Sequence, residues 1–335
     1  MIKKYDGLIE KIADWDNLFL AYKKSRAGKS GRDEVKKFGM SLWVNLANLR
    51  QHLLAGTYRM GRYRSFVVYE PKRREILAAP FGDRVIQHAI LNILEPIWDK
   101  CMIDDTYACR KNKGTHLGVE RIQGWIRDAS KNQPLDTIWI VKTDYSGYFK
   151  NLIHDDLKFI ARRKISCKLT LKLLDAIIDS TPGGVGIPVG NLTSQWLANL
   201  LGNEIDQYVK RTLKVKRYIR YMDDCVAIFG CKQDADKFLA EMTFVSSKFG
   251  LRFSKYSIHR ASQGINMLGY RIWPSHKLLR KRSIKLFRRD MKHIGLNIES
   301  GIIGIKSKVN RIKSFVAHAN HADTWRLRTI LFNET

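Results

Sequence analysis

Two adjacent carboxylates, Asp223-Asp224, separate the apolar runs 218–222 and 225–229. That spacing predicts a tight β-hairpin with the acids at its tip. Hairpin tips favour Asn-Gly or Asp-Gly, and like charges side by side repel, so the pair is either a solvated turn or a seat for a divalent cation. A third acid, Asp144, ends another run, Thr137-Ile138-Trp139-Ile140-Val141-Lys142, which is short, β-branched and bounded by Pro134 and Ser146, as a buried strand is. Strands that carry acids at their ends bring them together in an antiparallel sheet. Three such oxygens suit a hard cation such as Mg²⁺, which takes a few carboxylates and completes its shell with water and substrate phosphates. Two ions about 3.5–4 Å apart would clamp an in-line phosphoryl displacement, one activating a 3′-hydroxyl and the other holding a triphosphate. The chemistry expected is nucleotidyl transfer.

The elements that must position these acids follow from periodicity. The first sixty residues read as helical, with Leu8, Ile12, Trp15, Leu18 and Leu20 and then Leu42, Leu46, Leu49 and Leu53 as a packing or docking face. A β-hairpin is predicted from Phe66-Val67-Val68-Tyr69, a turn at Glu70-Pro71-Lys72-Arg73, and Ile76-Leu77-Ala78-Ala79. Helices are expected at about 83–98 and up to Asp128, separated by a polar, turn-rich stretch, 104–115. After the Gly- and Pro-rich loop 182–190 a helix begins, with Asn191, Thr193 or Ser194 as its cap and Leu197, Leu201, Ile205 and Tyr208 on one side. Beyond Trp273-Pro274 the chain reads as helical and basic to its end, which places a subdomain boundary there.

The chain has 335 residues, 44% of them hydrophobic, enough for a real core and too many for intrinsic disorder. Its 60 Lys and Arg against 32 Asp and Glu give a net charge of +28, which points to a polyanionic partner. The sequence reads without a basic amphipathic anchor, a lipidation signal or a run of about 18 apolar residues, and Met1-Ile2-Lys3-Lys4-Tyr5-Asp6 lacks the apolar stretch of a secretory signal, so nucleic acid is favoured over a membrane and a cytoplasmic location is expected. Cys101, Cys109, Cys167, Cys225 and Cys231 form no C-x-x-C pair, arguing for reduced thiols and against structural zinc. His318 and His321, with no cysteine or acid partners nearby, read as surface or packing residues.

Tyr221-Met222-Asp223-Asp224 resembles the catalytic box of reverse transcriptases, and further stretches match that family in order from about Tyr63 to Tyr270. The resemblance implies an α+β right-hand polymerase with fingers, an antiparallel-sheet palm and a helical thumb. It assigns 1–60 to a helical extension, 61–137 and 165–185 to fingers, 138–164 and 186–273 to palm, and 274–335 to thumb. Asp144, Asp223 and Asp224 become the catalytic metal ligands for two Mg²⁺ ions, for which Mn²⁺ can substitute. Lys72, Arg73 and Arg74 fall where the finger hairpin meets the incoming dNTP, and Tyr145 and Phe149, which follow the first acid, are also expected at the nucleotide, Phe149 as the gate against a 2′-hydroxyl. Asp83-Arg84-Val85-Ile86-Gln87-His88 and Tyr107-Ala108-Cys109-Arg110, with Gly114 and His116, resemble finger blocks of the group II intron-like branch. Leu268-Gly269-Tyr270 resembles the primer grip, and Lys255 the lysine that protonates pyrophosphate.

One block departs from the wider family, which has glutamine-glycine, three residues, then serine-proline. Here it reads Val189-Gly190-Asn191-Leu192-Thr193-Ser194-Gln195, similar to reverse transcriptases of diversity-generating retroelements, as are Gly186-Ile187-Pro188, Tyr270-Arg271-Ile272-Trp273-Pro274 and Lys277-Leu278-Leu279-Arg280-Lys281. This implies a bacterial or phage-encoded enzyme that copies a template-repeat RNA into cDNA with errors opposite adenine, and works with a basic helical accessory variability determinant protein. Val189 and Gly190 then lie at the nucleotide, with Val189, Ser194 and Gln195 setting fidelity. A valine offers only apolar contact where glutamine would hydrogen-bond, so geometric checking should loosen.

A charge run is usually a solvated face. On a polymerase helix the spacing of Arg280, Lys281, Arg282, Lys285, Arg288 and Arg289 would instead line cations along the template–primer backbone. Other readings remain: a retron or phage-defence reverse transcriptase, a non-catalytic nucleic-acid-binding scaffold, or an interaction subunit of a larger particle.

Overall fold

The computed structural model describes residues 4–69, 73–299 and 305–333. Thirteen α-helices and nine strands are described: α1 (Leu8–Ile12), α2 (Trp15–Arg26), α3 (Asp33–Met40), α4 (Leu42–Leu54), β1 (Arg64–Val68), β2 (Arg74–Ala78), α5 (Phe81–Asp99), α6 (Thr115–Ser130), β3 (Trp139–Tyr145), α7 (His154–Arg162), α8 (Lys168–Ile178), α9 (Leu192–Gln207), β4 (Tyr218–Tyr221), β5 (Asp224–Phe229), α10 (Lys232–Ser247), β6 (Phe253–Arg260), β7 (Ile265–Met267), β8 (Tyr270–Ile272), β9 (Lys277–Leu279), α11 (Lys281–Glu299), α12 (Ile305–Ala319) and α13 (Trp325–Asn333). The fold class is α+β, as expected.

The chain divides into two compact units, one of Met1–Arg110, Asp144–Lys214 and Glu241–Lys255, the other of Lys111–Thr143, Val215–Ala240 and Tyr256–Thr335. These cut across the ranges expected for fingers, palm and thumb.

The first unit is built on α5, whose Val85, Ile86, Ala89, Ile90, Leu94 and Trp98 are buried. Pro96 lies inside the helix, where it gives up the backbone hydrogen bond that an N–H would make to the carbonyl of Asn92. Helix α2 packs on it, joined by Asn17, whose amide donates to the Ala89 and Ile12 carbonyls at 3.0 and 2.9 Å. Helix α9 is buried nearly all round, as a central helix must be, and packs on α5 and α7. The N-terminal face is only partly core: Leu8, Ile12, Leu18, Leu46 and Leu53 are buried, but Trp15 and Leu20 are 41% and 44% exposed. The β1–β2 hairpin has the expected strands, Val68 pairing with Arg74 and Phe66 with Ile76; its expected turn at 70–72 lies outside the described residues.

In the second unit α6 packs against β4 and β8. The strand order β4-β5-β3-β6 forms a four-stranded sheet, and β7-β8-β9 a three-stranded antiparallel one. The chain after Pro274 is not helical from its start, because Lys277–Leu279 first adds a strand to β8. Three residues are too few for a period-2 signal. Helix α11 turns Phe287 inward to stack on Phe315 of α12, with ring centroids 3.8 Å apart. No helix among the described residues is long and apolar enough to cross a membrane.

Candidate active site

The carboxylate hairpin is one residue out of the expected register. Tyr221 pairs with Asp224, so Met222 and Asp223 form the two-residue turn and Asp224 opens β5. Met222 has φ +57°, a left-handed conformation that costs a side-chain-bearing residue roughly 1–2 kcal/mol. Two-residue hairpin loops need positive φ to follow the twist of their strands, which is why a methionine accepts it here. The buried Arg220 supports the turn, its guanidinium donating to the Met222 carbonyl at 3.2 Å. Asp223 stays on the turn. The Asp224 carboxylate lies 3.1 Å from the Lys142 ammonium, and it also favours the charged form of Arg280, whose pKa burial lowers.

Asp144 is the penultimate residue of β3, the strand next to β5 in the sheet, and its carbonyl accepts from Ser254 Oγ at 3.1 Å. Tyr145, expected at the nucleotide, is instead a core residue: its ring stacks on Tyr148 and meets Phe253, and its hydroxyl shares a 2.8 Å hydrogen bond with Ser246. Strand alternation explains this, since neighbours of Asp144 face the opposite side. Phe149 is half-buried with its ring edge-on to Tyr148.

Lys72 lies outside the described residues; Arg73 and Arg74 are exposed at the hairpin's return strand. Val189 is bound to that hairpin through its backbone, its carbonyl accepting from Leu77 N at 3.2 Å. Gly190 sits at φ +119°, and a Cβ there would stand 3.2 Å from the Ile76 side chain. Asn191 precedes α9, but its side chain does not cap the helix; it donates to the Tyr63 hydroxyl at 2.7 Å. Thr193 and Ser194 are buried, with hydroxyls that meet no hydrogen-bond partner, and Gln195 accepts from the Cys109 thiol at 3.3 Å. Lys255 is exposed on β6.

The finger-like blocks do structural work. Asp83 accepts from the Tyr58 hydroxyl and from Gly61 N, and its burial raises its pKa. Arg110 pins the turn-rich loop by donating to Asp99 and to the carbonyls of Ile103 and Thr106.

Leu268 and Gly269 form the β7–β8 turn with φ +52° and +92°, the two positive values that a type I′ turn demands. The Tyr270 hydroxyl lies 3.0 Å from His318 Nδ1, and burial pushes its pKa up to about 12. Of the two histidines read as surface or packing residues, His318 packs on Tyr270 and His321 stacks on His116 at 3.5 Å between ring centroids. Lys281, Arg282, Lys285, Arg288 and Arg289 are exposed along α11, Arg289 facing Asp290 at 3.6 Å, while Arg280 is half-buried with Nε and Nη2 lacking hydrogen-bond partners.

Lys142 was not foreseen, although a period-2 count from Asp144 marks it as sharing that acid's face of β3. Gln87 and His116 lie in blocks that the resemblance marks and His318 is paired with His321 by spacing, but nothing local announces the contacts these residues make. Among the described residues no three or more His, Cys, Asp or Glu side chains are gathered as ligands of one ion. The donors at Asp144 and Asp223 are nonetheless hard carboxylate oxygens, the chemistry that Mg²⁺ or Mn²⁺ takes.

Residues 70–272 match the family model described as "Reverse transcriptase (RNA-dependent DNA polymerase)". The chain belongs to the reverse transcriptase family and is an RNA-directed DNA polymerase, a class that works with divalent metal ions on an RNA template and dNTPs. It is 28% identical over 303 residues to Protein YkfC of Escherichia coli (strain K12), covering 76% of each chain. It is 22% identical over 320 residues to the group II intron-encoded protein LtrA of Lactococcus lactis subsp. cremoris, covering 72% of this chain and 52% of that one. A putative COX1/OXI3 intron 1 protein of Saccharomyces cerevisiae is 24% identical over 220 residues, 61% of this chain and 25% of that protein. The chain thus spans about half of LtrA and a quarter of the yeast protein.

Proposed function

We propose that this reverse transcriptase copies a template-repeat RNA into adenine-mutagenised cDNA for targeted protein diversification, as enzymes of diversity-generating retroelements do. The observation that carries the reading is Val189: its backbone is tied to the β2 strand that begins at Arg74, and its side chain offers only methyl groups where a glutamine would hydrogen-bond.

In this reading Asp144 and Asp223 hold two Mg²⁺ ions, with Asp224 behind them on Lys142; β3 and β5 being neighbours in one sheet supports it. Bound ions supply Lewis-acid activation of the primer 3′-hydroxyl and neutralise the triphosphate. Lys72, Arg73 and Arg74 grip the phosphates, Phe149 excludes a 2′-hydroxyl, and Val189 and Gly190 border the nascent pair, with Ser194 and Gln195 behind. Lys255 protonates pyrophosphate, Leu268-Gly269-Tyr270 seats the primer, and the cations from Arg280 to Arg289 track the RNA–cDNA backbone. Fingers, palm and thumb take the ranges 61–137 with 165–185, 138–164 with 186–273, and 274–335. The accessory variability determinant protein is the expected partner.

Primer extension on a natural-sequence RNA, with sequencing of the cDNA, tests this. Substitutions concentrated opposite template adenines are expected, and Asp223→Asn should abolish synthesis while RNA affinity persists. Faithful copying of adenines would remove the mutagenic role, and an active Asp223→Asn enzyme would remove the metal site.

A second reading is a stand-alone bacterial reverse transcriptase of a retron or phage-defence system; the likeness to LtrA supports the group II intron-type lineage, which both readings share. A template repeat and a variable repeat differing at adenines beside the gene would decide for the first.

A further inference from the structure

Lys142 has no task yet in the polymerase reading. It precedes Asp144 by two residues on β3, so both side chains leave the same face of the strand. Its ammonium serves two groups at once: Asp224 Oδ1 at 3.1 Å and the carbonyl of Asn266 at 2.9 Å, to which it donates. Asn266 is the middle residue of β7, the strand that leads into the Leu268-Gly269 turn. A second tie reaches the same turn, because Arg280 N donates to the Gly269 carbonyl at 3.0 Å. The Arg280 guanidinium, with two buried nitrogens that meet no acceptor, feels the Asp224 charge.

One cation therefore spans two hairpins, holding a carboxylate of the first and the backbone of the second. Side-chain exposures of 20% for Lys142 and 29% for Asp224 make the pair partly desolvated, where an ion pair is screened less than on an open surface. An ammonium with three donors can serve a carboxylate and a carbonyl together and carries the charge that Asp224 pairs with; methionine has no donor, and glutamine has two on a shorter, uncharged side chain.

We propose that Lys142 is a positioning residue that locks the primer-grip hairpin to the carboxylate hairpin through Asp224, so that the primer 3′ end is delivered to Asp223. Asp224 then acts chiefly as the anchor of this lock. The proposal rests on the polymerase reading and deepens it. The competing role is a plain stabilising ion pair, which would alter melting without altering where the primer ends.

The test compares the full chain with Lys142→Met, Lys142→Gln, Lys142→Arg, Asp224→Asn and the double variant Lys142→Met/Asp224→Asn. A 2-aminopurine at the primer 3′ terminus on an RNA template reports primer seating without divalent ion, and single-turnover extension reports the step itself. Lys142→Met should lower the extension rate at saturating dNTP by about tenfold or more, one decade being roughly 1.4 kcal/mol of barrier. It should change the terminal fluorescence and leave the dNTP concentration for half-maximal rate within about twofold. Lys142→Gln serves where the Met variant melts early, and Lys142→Arg should recover most of the rate. The double variant should lose little more than the worse single one, as coupled residues do. Wild-type fluorescence and rate in Lys142→Met and Lys142→Gln, or independent losses that multiply in the double variant, would overturn the proposal. Failure of the polymerase reading shows separately, as an Asp223→Asn enzyme that still extends primers.

Discussion

Gln87 caps a helix that it does not belong to. Its Oε1 accepts from the backbone N–H of Leu192, the first residue of α9, at 2.9 Å, while Asn191, the residue at the cap position, sends its amide to Tyr63 instead. The start of the helix carrying Thr193, Ser194 and Gln195 is thereby fixed by α5 on one side and by the segment before β1 on the other.

Removing that acceptor leaves an N–H at the helix start unsatisfied. Gln87→Ala should lower unfolding free energy by about 1–2 kcal/mol, the usual cost of a lost N-cap with some packing added. Asn191→Ala should cost less, because its carbonyl and backbone remain. Urea denaturation of both variants measures the difference; a larger loss for Asn191→Ala than for Gln87→Ala would show that Asn191 and not Gln87 governs the helix start.

If the proposed reading holds, Val189→Gln should reduce misincorporation opposite template adenine, because an amide at that position would add a hydrogen bond that scores geometry. The backbone bond from Leu77 to the Val189 carbonyl does not involve the side chain, so the substitution should leave stability within about 0.5 kcal/mol. Sequencing of cDNA from both proteins reads the result, and an unchanged adenine spectrum counts against Val189 as the determinant.

Much of this was legible in the sequence where a regular period runs long enough. The β1–β2 strands, α5, α6 and β3 come from uninterrupted patterns. The carboxylate turn is shifted by one residue because propensity places Asp, not Met, at a turn, whereas strand pairing fixed Met222 there. Strand β9 is too short to announce itself. Trp15 and Leu20 follow helical spacing yet remain exposed, since periodicity marks a face without saying what covers it. At the site, Asp144 and Asp223 stand out as acids at strand ends, but the resemblance gives Tyr145 a nucleotide role where strand alternation turns its ring into the core, and the contacts of Gln87 and His116 join residues more than a hundred positions apart.

Helix α11 carries Lys281, Lys285, Arg288 and Lys292 at spacings of four, three and four, all exposed, opposite the inward Phe287. Changing Lys285 and Arg288 to Gln should weaken binding of an RNA–DNA hybrid uniformly across sequences. Each phosphate no longer neutralised should flatten the log–log salt dependence by roughly 0.7–0.9. Titrations at several salt concentrations measure that slope, and an affinity that is the same at low and high salt would mean that this face does not touch the backbone.

In the proposed reading, the histidines around Tyr270 should make the primer grip sensitive to acid. His116 is held below the usual histidine pKa of 6.5 by desolvation, then by His321 and Lys277, with Glu120 opposing; His318 is held down by desolvation, His116 and His321. A histidine whose folded-state pKa lies below its unfolded value contributes stability that is complete above about 6.5 and is lost as pH falls through the folded value. Acid should therefore drive the His116 and His321 rings apart, since protonated neighbours at 3.5 Å repel, and so loosen the packing around Tyr270. Primer–template affinity should accordingly fall between pH 7 and pH 5, beyond the fall shown by a His116→Gln/His318→Gln variant. Tyr270→Phe should weaken binding at pH 7 and show a shallower pH profile, because the hydroxyl that the histidines hold is already gone. Parallel profiles for wild type and the double variant would place the acid sensitivity elsewhere, for instance at His88, which burial and the nearby Lys24 and Lys29 lower to about 4.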